Sequence, residues 1–336
     1  MTSVDGMEVL QSEDAGRLGR GKRVELSNFS KLELAVKIAG KVTTEDLPRM
    51  CPLLSRETNP RYGSDHRRVV EIGGARFGTG LPVVIAGPCA VESWEQTLEL
   101  ARVVKASGAG MLRGGAFKPR TSPHDFQGLG LEGLKILRAA GDETGLPVVT
   151  EVIDVRLVET VAQYADMLQI GSRSMQNYPL LVEVGHVGKP VLLKRGMAAS
   201  LCEWLGAAEY IAKEGNLEIV LCERGIKTFS SGEYSRFSLD LNVIPAVRAQ
   251  TFLPVIVDPS HATGVASMVE LASRGAIEFG CDGLIIEIGS GRNDAPRPKC
   301  DADQAIDPPT LCQIIRFINS RQGPVEGKVS VLGWVR

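Results

Sequence analysis

The sequence has little excess charge and no long apolar run. Its 38 basic and 40 acidic residues leave a formal net charge of −2, which gives no sign of binding to nucleic acid or to an anionic membrane surface. No run of apolar residues is long enough to cross a bilayer, and the first residues, MTSVDGMEVLQSEDAGR, contain no hydrophobic segment of the signal-peptide type. We therefore expect a protein whose partners include neither nucleic acid nor membrane.

The cysteines follow no recognisable spacing pattern, and aromatic residues are few. The seven cysteines are scattered without a C-x-x-C pair. An odd, unpatterned set in a chain without a signal segment predicts reduced thiols and a cytoplasmic location. One or two of these thiols are candidate ligands, and the others are expected to be small buried hydrophobes. Aromatic residues make up only 5% of the chain while glycine is abundant, which suits an α/β fold with many tight turns.

Short apolar, β-branched runs recur along most of the chain and alternate with helical stretches. The runs are Val83–Ala86, Gly110–Leu112, Pro147–Val152, Met167–Ile170, Pro190–Leu193, Glu218–Cys222, Pro254–Val257 and Gly283–Ile288. They have no alternating polar face, so we expect strands that are buried on both sides. Eight such strands with intervening helices predict a single (β/α)8 barrel. A doubly wound open sheet is the alternative, but no G-x-G-x-x-G follows the first strand.

The two ends of the chain differ from this pattern. Residues 1–66 are charged and weakly periodic and form an N-terminal extension without an assigned role, with short helices predicted at Leu32–Ile38 and Thr44–Leu54. Val69–Phe77, with Gly73-Gly74 at its centre, predicts a β-hairpin. The hairpin belongs to the predicted barrel domain, residues 67–322, and residues 323–336 form a C-terminal tail.

The stretch MLRGGAFKPRTS, residues 111–122, has the composition of an anion site. Two glycines directly after a predicted strand let the backbone approach a ligand. The side chains that follow or flank them are Arg113, Lys118, Arg120, Thr121 and Ser122. Three cations and two hydroxyls suit a multiply charged phosphate ester. A solvated basic loop is the alternative, although such a loop rarely follows a buried strand with two glycines.

Polar residues follow every predicted strand, at the end where barrel enzymes build their sites. Five of them are cations: Arg113, Lys118, Arg173, Lys194 and Arg224. Their mutual repulsion predicts that phosphates and a carboxylate bind among them. A second group consists of Cys89, His261, Glu287 and an aspartate after the last strand. This mixture of soft and hard donors suits Mn²⁺, Fe²⁺, Co²⁺ or Zn²⁺, but spacing alone leaves Cys89 open as a buried hydrophobe and His261 as a strand-end hydrogen bonder.

Several of these stretches resemble those of the 3-deoxy-D-arabino-heptulosonate 7-phosphate (DAHP) synthases. They are AGPCAVES (86–93), LRGGAFKPRTSPHDFQGLG (112–130), QIGSRSMQN (169–177), PVLLKRG (190–196), LCERGI (221–226) and PVIVDPSHATG (254–264). The resemblance implies a (β/α)8 barrel with one divalent metal ion, assembled as a homodimer or homotetramer. The implied reaction joins phosphoenolpyruvate (PEP) to erythrose 4-phosphate in the first step of the shikimate pathway. The related octulosonate 8-phosphate synthases use arabinose 5-phosphate, but Cys89 and the stretch 118–122 are more similar to the DAHP synthase form.

The resemblance also implies roles for individual residues. Cys89, His261 and Glu287 are implied as metal ligands. The implied PEP contacts are Arg113, Glu151, Ser172, Arg173, Lys194 and Arg224. Lys118 is expected between PEP and the aldehyde as a proton donor, and either Glu151 or a metal-bound water is expected to assist the attacking water. Arg120, Thr121 and Ser122 are implied to hold the phosphate of erythrose 4-phosphate, and Asp258 is expected near the sugar hydroxyls.

The chain departs from the family after Glu287, where Ile-Gly-Ser-Gly replaces the usual Val-His-Pro. The fourth metal ligand is best matched by Asp301, three residues before Gln304, with Asp294 and Asp303 as alternatives. Cys300 is adjacent, so loss of the metal is expected to let Cys89 and Cys300 oxidise to a disulfide. The altered loop leaves open a condensing enzyme for another aldose, and a non-catalytic barrel that binds phosphorylated metabolites is the third alternative.

Overall fold

The computed structural model describes residues 43–59, 66–229, 232, 236–292 and 297–321. The predicted helix at Leu32–Ile38 and the tail at residues 323–336 lie outside these ranges. The predicted hairpin is present as antiparallel strands β1 (Val70–Ile72) and β2 (Ala75–Phe77). Its register pairs Ile72 with Ala75, so Gly73 and Gly74 form the turn, both with positive φ. Glycine is favoured at such positions because it has no Cβ to clash.

Eight parallel strands form a closed barrel, as predicted. They are β3 (Val83–Gly87), β4 (Met111–Arg113), β5 (Val148–Glu151), β6 (Met167–Ile170), β7 (Val191–Lys194), β8 (Ile219–Glu223), β9 (Val255–Val257) and β10 (Gly283–Glu287). Neighbours along the chain pair in order, and β10 closes the barrel against β3 over five residue pairs, from Gly283–Val83 to Glu287–Gly87. The open-sheet alternative is therefore wrong.

Helices alternate with the barrel strands. They are α1 (Leu47–Met50), α2 (Trp94–Ser107), α3 (Leu131–Thr144), α4 (Val158–Tyr164), α5 (Tyr178–Val187), α6 (Leu201–Lys213), α7 (Val243–Gln250), α8 (Pro259–Thr263), α9 (Ala266–Glu278) and α10 (Pro308–Ser320). Their ends follow the local sequence: Ser93 caps α2 by accepting from the Gln96 N–H, and Ser200 and Glu203 form a capping box on α6. None of the helices in the described ranges is both long and apolar enough to cross a membrane.

Two apolar layers hold the barrel together. The larger lies between the strands and the surrounding helices. The smaller fills the inside of the barrel with alternate strand residues such as Ile85, Met111 and Ile285, and it includes Val70 and Phe77 of the hairpin. The hairpin therefore packs its buried face onto the barrel interior, and the polar ends of the strands remain at the opposite mouth.

Part of the predicted N-terminal extension packs on the barrel. A 3₁₀ turn at Thr44–Asp46, capped by Thr43, leads into α1. Leu47, Cys51 and Leu54 are buried, and the backbone N–H groups of Leu53 and Leu54 donate to the Glu209 carboxylate on α6. Residues 43–59 are thus attached by both apolar burial and hydrogen bonds.

Candidate active site

A cavity opens at the carboxyl ends of the barrel strands. All five cations predicted from the strand ends line it: Arg113, Lys118, Arg173, Lys194 and Arg224. The strands end at the same mouth because they are parallel, so side chains far apart in sequence converge there. Such a concentration of positive charge in a recess suits anionic ligands.

The turn after β4 positions Lys118. A Cβ at Gly115 would lie 2.6 Å from Lys118 Cδ and 2.8 Å from the Cys89 carbonyl oxygen. Only glycine therefore lets the lysine fold back, where Nζ donates to the Cys89 carbonyl and to Cys89 Sγ, each at 3.1 Å. Although burial opposes it, interaction with Cys89, Cys300 and Glu287 raises the pKa of Lys118, so the lysine holds its proton at neutral pH.

In the same loop, Arg120 and Thr121 face the cavity, whereas Ser122 is part of a turn. Arg120 and Thr121 line the cavity, and Arg120 Nη1 lies 2.6 Å from Cys300 Sγ. Arg120 also faces Asp125, with 3.5 Å between Nη2 and Oδ2. Ser122 does not line the cavity: its Oγ accepts from the His124 N–H within the loop. Its predicted role as a phosphate contact stays a prediction.

The ends of β5 and β6 place the carboxylate of Glu151 in the cavity wall. Glu151 accepts from Gln169 Nε2 at 3.4 Å. A Cβ at Gly171 would lie 2.0 Å from Glu151 Oε1, so the glycine makes room for this carboxylate. Ser172 and Arg173 follow in a 3₁₀ turn and also line the cavity.

Asp258 lies beneath the cavity rather than in it. The residue is fully buried, Lys194 Nζ donates to Oδ2, and His261 contributes its backbone N–H at 2.9 Å and its ring Nδ1 at 2.7 Å. Burial alone would raise the pKa of Asp258, but His261 and Lys194 hold it well below its usual value. Its oxygens accept from protein groups, so the carboxylate orients Lys194 and His261. Its predicted place near the sugar hydroxyls stays a prediction.

Arg224 stacks on an aromatic ring. Its guanidinium carbon lies 4.1 Å from the centroid of the Phe237 ring. Within the described part of the chain, Arg224 Nη1 is buried and has no hydrogen-bond partner. Burial lowers the pKa of this guanidinium. An anion in the cavity would supply the missing partner.

Side chains of the types that bind metal ions gather where β3, β9 and β10 end. Donor atoms of His261, Glu287 and Asp301 lie within 4.8 Å of one another, and those of Cys89, Cys300 and Asp301 form a second such group. Asp301 belongs to both groups. Of the alternatives to it, Asp303 is exposed and pairs with Arg297 at 2.8 Å, and Asp294 lies outside the described residues.

The charges around this cluster suit a cation. Although burial opposes it, His261 and Arg113 lower the pKa of Glu287, and His261 and Arg236 lower that of Asp301. Glu287 Oε1 is buried without a hydrogen-bond partner among the described residues, although Arg113 Nη1 and His261 Nε2 lie 2.9 and 3.3 Å away. An unsatisfied carboxylate oxygen beside a thiol, an imidazole and a second carboxylate fits a divalent transition ion.

The two thiols of the cluster are close together. Cys89 Sγ and Cys300 Sγ are 3.0 Å apart, and both cysteines are free. A hydrogen bond to Cys300 and burial raise the pKa of Cys89. The same hydrogen bond and the positive charge of Lys118 lower the pKa of Cys300. The disulfide expected after metal loss stays a prediction.

The sequence reasoning missed several residues of the cavity. Arg236 and Phe237 line it from the loop between β8 and α7, and Arg236 Nη1 lies 3.3 Å from both Asp301 Oδ1 and Gln304 Oε1. They were overlooked because they lie well beyond the end of β8. Gln169 also lines the cavity, and its position as the polar residue of an otherwise apolar strand was an available signal.

Comparison with known proteins identifies the family of this chain. The model of the DAHP synthetase I family matches residues 60–321. A phospho-2-dehydro-3-deoxyheptonate aldolase of Thermotoga maritima is 44% identical over 255 residues, covering 76% of this chain and 72% of the relative. A 2-dehydro-3-deoxyphosphooctonate aldolase of Syntrophotalea carbinolica is 33% identical over 256 residues, covering 70% and 90%.

Solved structures give the same result. The crystal structure of the Thermotoga maritima heptonate aldolase (DAHP synthase) superposes with a TM-score of 0.74 at 42% identity, covering 80% of this chain and 76% of that one. A truncated form of 3-deoxy-D-arabino-heptulosonate 7-phosphate synthase from the same organism gives 0.72 at 38%, covering 81% and 96%. Since the family model spans most of the chain and the barrel mouth carries the expected charges, this protein belongs to the DAHP synthetase I family.

Proposed function

We propose that this protein is a 3-deoxy-7-phosphoheptulonate synthase, a transferase that condenses PEP with D-erythrose 4-phosphate and water to give DAHP and phosphate. Residues 67–322 form the proposed catalytic barrel. The observation that carries the proposal is the cavity itself, in which five cations face a cluster of thiol, imidazole and carboxylate donors. Two phosphorylated substrates repel each other in water, and positive side chains on the cavity wall offset that repulsion.

The aldehyde specificity is supported by the loop after β4. Relatives named for the heptonate and for the octonate both match this chain, the former at 44% and the latter at 33% identity. Arg120 and Thr121 lie at the cavity wall beside Asp125. We assign Arg120, Thr121 and Ser122 to the phosphate of erythrose 4-phosphate.

Three of the proposed PEP contacts, Arg113, Lys194 and Arg224, are buried. Arg173, Lys194 and Arg224 are assigned to its phosphate, and Arg113, Glu151 and Ser172 complete the set. Support comes from the unpartnered Nη1 of Arg224 and the unpartnered Nε of Arg113, both buried in the described structure. A phosphate and a carboxylate supply acceptors for such groups, and arginine binds them in bidentate fashion.

The proposed chemistry uses two proton carriers of the chain. Carbon 3 of PEP attacks the aldehyde carbon, and Lys118, which is protonated beside Cys89, donates to the developing alkoxide. Water adds to carbon 2 of PEP, Glu151 accepts its proton, and phosphate then leaves by C–O cleavage. Asp258 acts as a positioning residue that holds Lys194 and His261. The water step needs a carboxylate that reaches the cavity, and Glu151 does.

A divalent ion is the proposed cofactor. Cys89, His261, Glu287 and Asp301 would hold it, and the donor chemistry favours Mn²⁺, Fe²⁺, Co²⁺ or Zn²⁺. When bound, such an ion supplies Lewis-acid polarisation of the aldehyde oxygen. We also infer that the enzyme is cytoplasmic and that it assembles as a homodimer or homotetramer. Static light scattering on the purified chain measures the molar mass of the assembly directly.

Consumption of PEP with a panel of aldoses tests the proposal. We expect rapid turnover with erythrose 4-phosphate, little with arabinose 5-phosphate and none without an aldose. Lys118→Met is expected to lower kcat at least 100-fold because it removes the proton donor, whereas the exposed Arg102→Met is expected to leave it unchanged. Preference for arabinose 5-phosphate would favour the octulosonate-type alternative, and PEP binding without turnover would favour the non-catalytic barrel.

A further inference from the structure

Cys300 lies in the donor cluster but has no role in the proposed reaction. Its Sγ lies 3.0 Å from Cys89 Sγ and 3.4 Å from Asp301 Oδ2, and Cys89 Sγ is also 3.4 Å from that oxygen. The side chain is buried, with 2% of its surface exposed. Three donor atoms of three residues thus meet at one point, as closely as those of His261, Glu287 and Asp301 do.

We propose that Cys300 is a second sulfur ligand of the divalent ion, an inference that rests on the metal site of the proposed function. Zinc–thiolate bonds are about 2.3 Å long, so two sulfurs on one ion lie within about 4.6 Å of each other. The observed 3.0 Å between Cys89 and Cys300 satisfies that limit, and Asp301 links this pair to the His261 and Glu287 side of the cluster.

The backbone explains how neighbouring residues face the same point. Successive side chains of an extended chain point to opposite sides. Asp301 instead adopts a left-handed conformation, with φ 47° and ψ 43°, and it is the sole non-glycine residue with positive φ among those described. This turn directs Cys300 Sγ and Asp301 Oδ2 toward Cys89 together. Such a conformation is costly for a residue with a Cβ and is typical of functional sites.

Two cationic side chains lie beside the two sulfur atoms. Arg120 Nη1 lies 2.6 Å from Cys300 Sγ, and Lys118 Nζ lies 3.1 Å from Cys89 Sγ. With two sulfurs the site is softer than one with a single cysteine, so Zn²⁺ and Fe²⁺ are favoured over Mn²⁺. Cys300 is therefore inferred to determine which metal the enzyme prefers.

X-ray absorption on the intact, zinc-loaded chain counts the sulfur ligands without any substitution. We expect two sulfurs in the first shell of the wild-type protein and one in Cys300→Ser. The matched control is Cys312→Ser, which removes a cysteine outside the cluster and should leave two. One sulfur in the wild-type protein would overturn the inference.

Optical titration with Co²⁺ gives a second measurement on the same variants. The sulfur-to-cobalt charge-transfer absorbance should fall by about half in Cys300→Ser and in Cys89→Ser, and should be unchanged in Cys312→Ser. An unchanged absorbance in Cys300→Ser with complete loss in Cys89→Ser would overturn the role of Cys300 alone. Absence of any sulfur-to-cobalt band in the wild-type protein would contradict Cys89 as a ligand too. The PEP consumption assay tests the proposed reaction independently of the metal ligands.

Discussion

Arg113 Nη1 lies 2.9 Å from Glu287 Oε1, and both side chains are buried, with 5% and 0% of their surfaces exposed. The pair joins the end of β4 to the end of β10 across β3. Removing one member of a buried pair leaves the other charge uncompensated, at a cost of about 3–5 kcal/mol. The interaction therefore predicts a stability effect as well as a loss of PEP binding.

Arg113→Met is expected to lower the free energy of unfolding of the metal-free protein by about 3 kcal/mol or more. Urea denaturation measures this loss of free energy, and we expect the m-value to be the same in the variant and the wild-type protein. The control is Arg102→Met, whose exposed pair with Glu143 should contribute at most about 1 kcal/mol. Equal losses in the two variants would contradict the importance of burial.

Phe237→Leu is expected to raise the KM for PEP about fivefold with little change in kcat, because a cation–π contact contributes about 1 kcal/mol. The ring lies 4.1 Å from the Arg224 guanidinium, which is assigned to the PEP phosphate. Steady-state kinetics at saturating aldehyde separate the two constants. Phe317→Leu removes a comparable contact with Arg274 on the outer helices and should leave KM unchanged; an equal rise there would exclude a local role.

Gly115→Ala is expected to lower kcat by about 10- to 100-fold, since proton transfer by a positioned side chain contributes about that much or more. The new methyl group would lie 2.6 Å from Lys118 Cδ and 2.8 Å from the Cys89 carbonyl oxygen, so the lysine would have to move. Gly206→Ala on α6 is the control, because the nearest atom to its Cβ, Met50 Cε, is 3.9 Å away. A Gly115→Ala enzyme with wild-type kcat would show that Lys118 tolerates displacement.

Chelation of the metal is expected to lower thermal stability. An ion present at about 100 times its Kd stabilises the native state by about 2.7 kcal/mol, and calorimetry before and after adding Zn²⁺ detects this as a rise in Tm. His261→Ala should abolish the rise. His186→Ala, which removes a surface imidazole paired with Glu214, should retain it. Loss of the rise in both variants would point to a nonspecific effect.

Cys51 is expected to resist alkylation in the folded protein. Burial, followed by the charge of Glu209, raises the pKa of its thiol to about 12, so roughly one thiol in ten thousand is ionised at pH 8. The thiolate is the reactive form, and Cys312 is partly exposed. Peptide mass spectrometry after iodoacetamide treatment should find Cys312 labelled and Cys51 unlabelled. Rapid labelling of Cys51 would mean that residues 43–59 leave the barrel.

The barrel could be predicted from the sequence because a strand that is buried on both faces is a continuous run of apolar residues. The run at Met167–Ile170 is the observed strand itself, and the other seven differ only at their ends. Cations such as Lys194 were found because they directly follow such runs. The contacts of Asp258 with Lys194 and His261 could not be read from the sequence, because they depend on how the end of β7 and the residues after β9 meet in space. Arg236 and Phe237 lie in a long loop, where the position of a residue in the sequence does not indicate whether its side chain faces the cavity.

Closure of β10 on β3 places residues of the donor cluster on either side of a seam in the barrel. Cys89 follows the first barrel strand, whereas Cys300 and Asp301 follow the last, 211 and 212 residues later. During synthesis Cys89 therefore cannot meet Cys300 and Asp301 until nearly the whole barrel has left the ribosome. Metal capture and completion of the fold are consequently expected to coincide, so that a truncated chain or a stalled intermediate holds no competent centre.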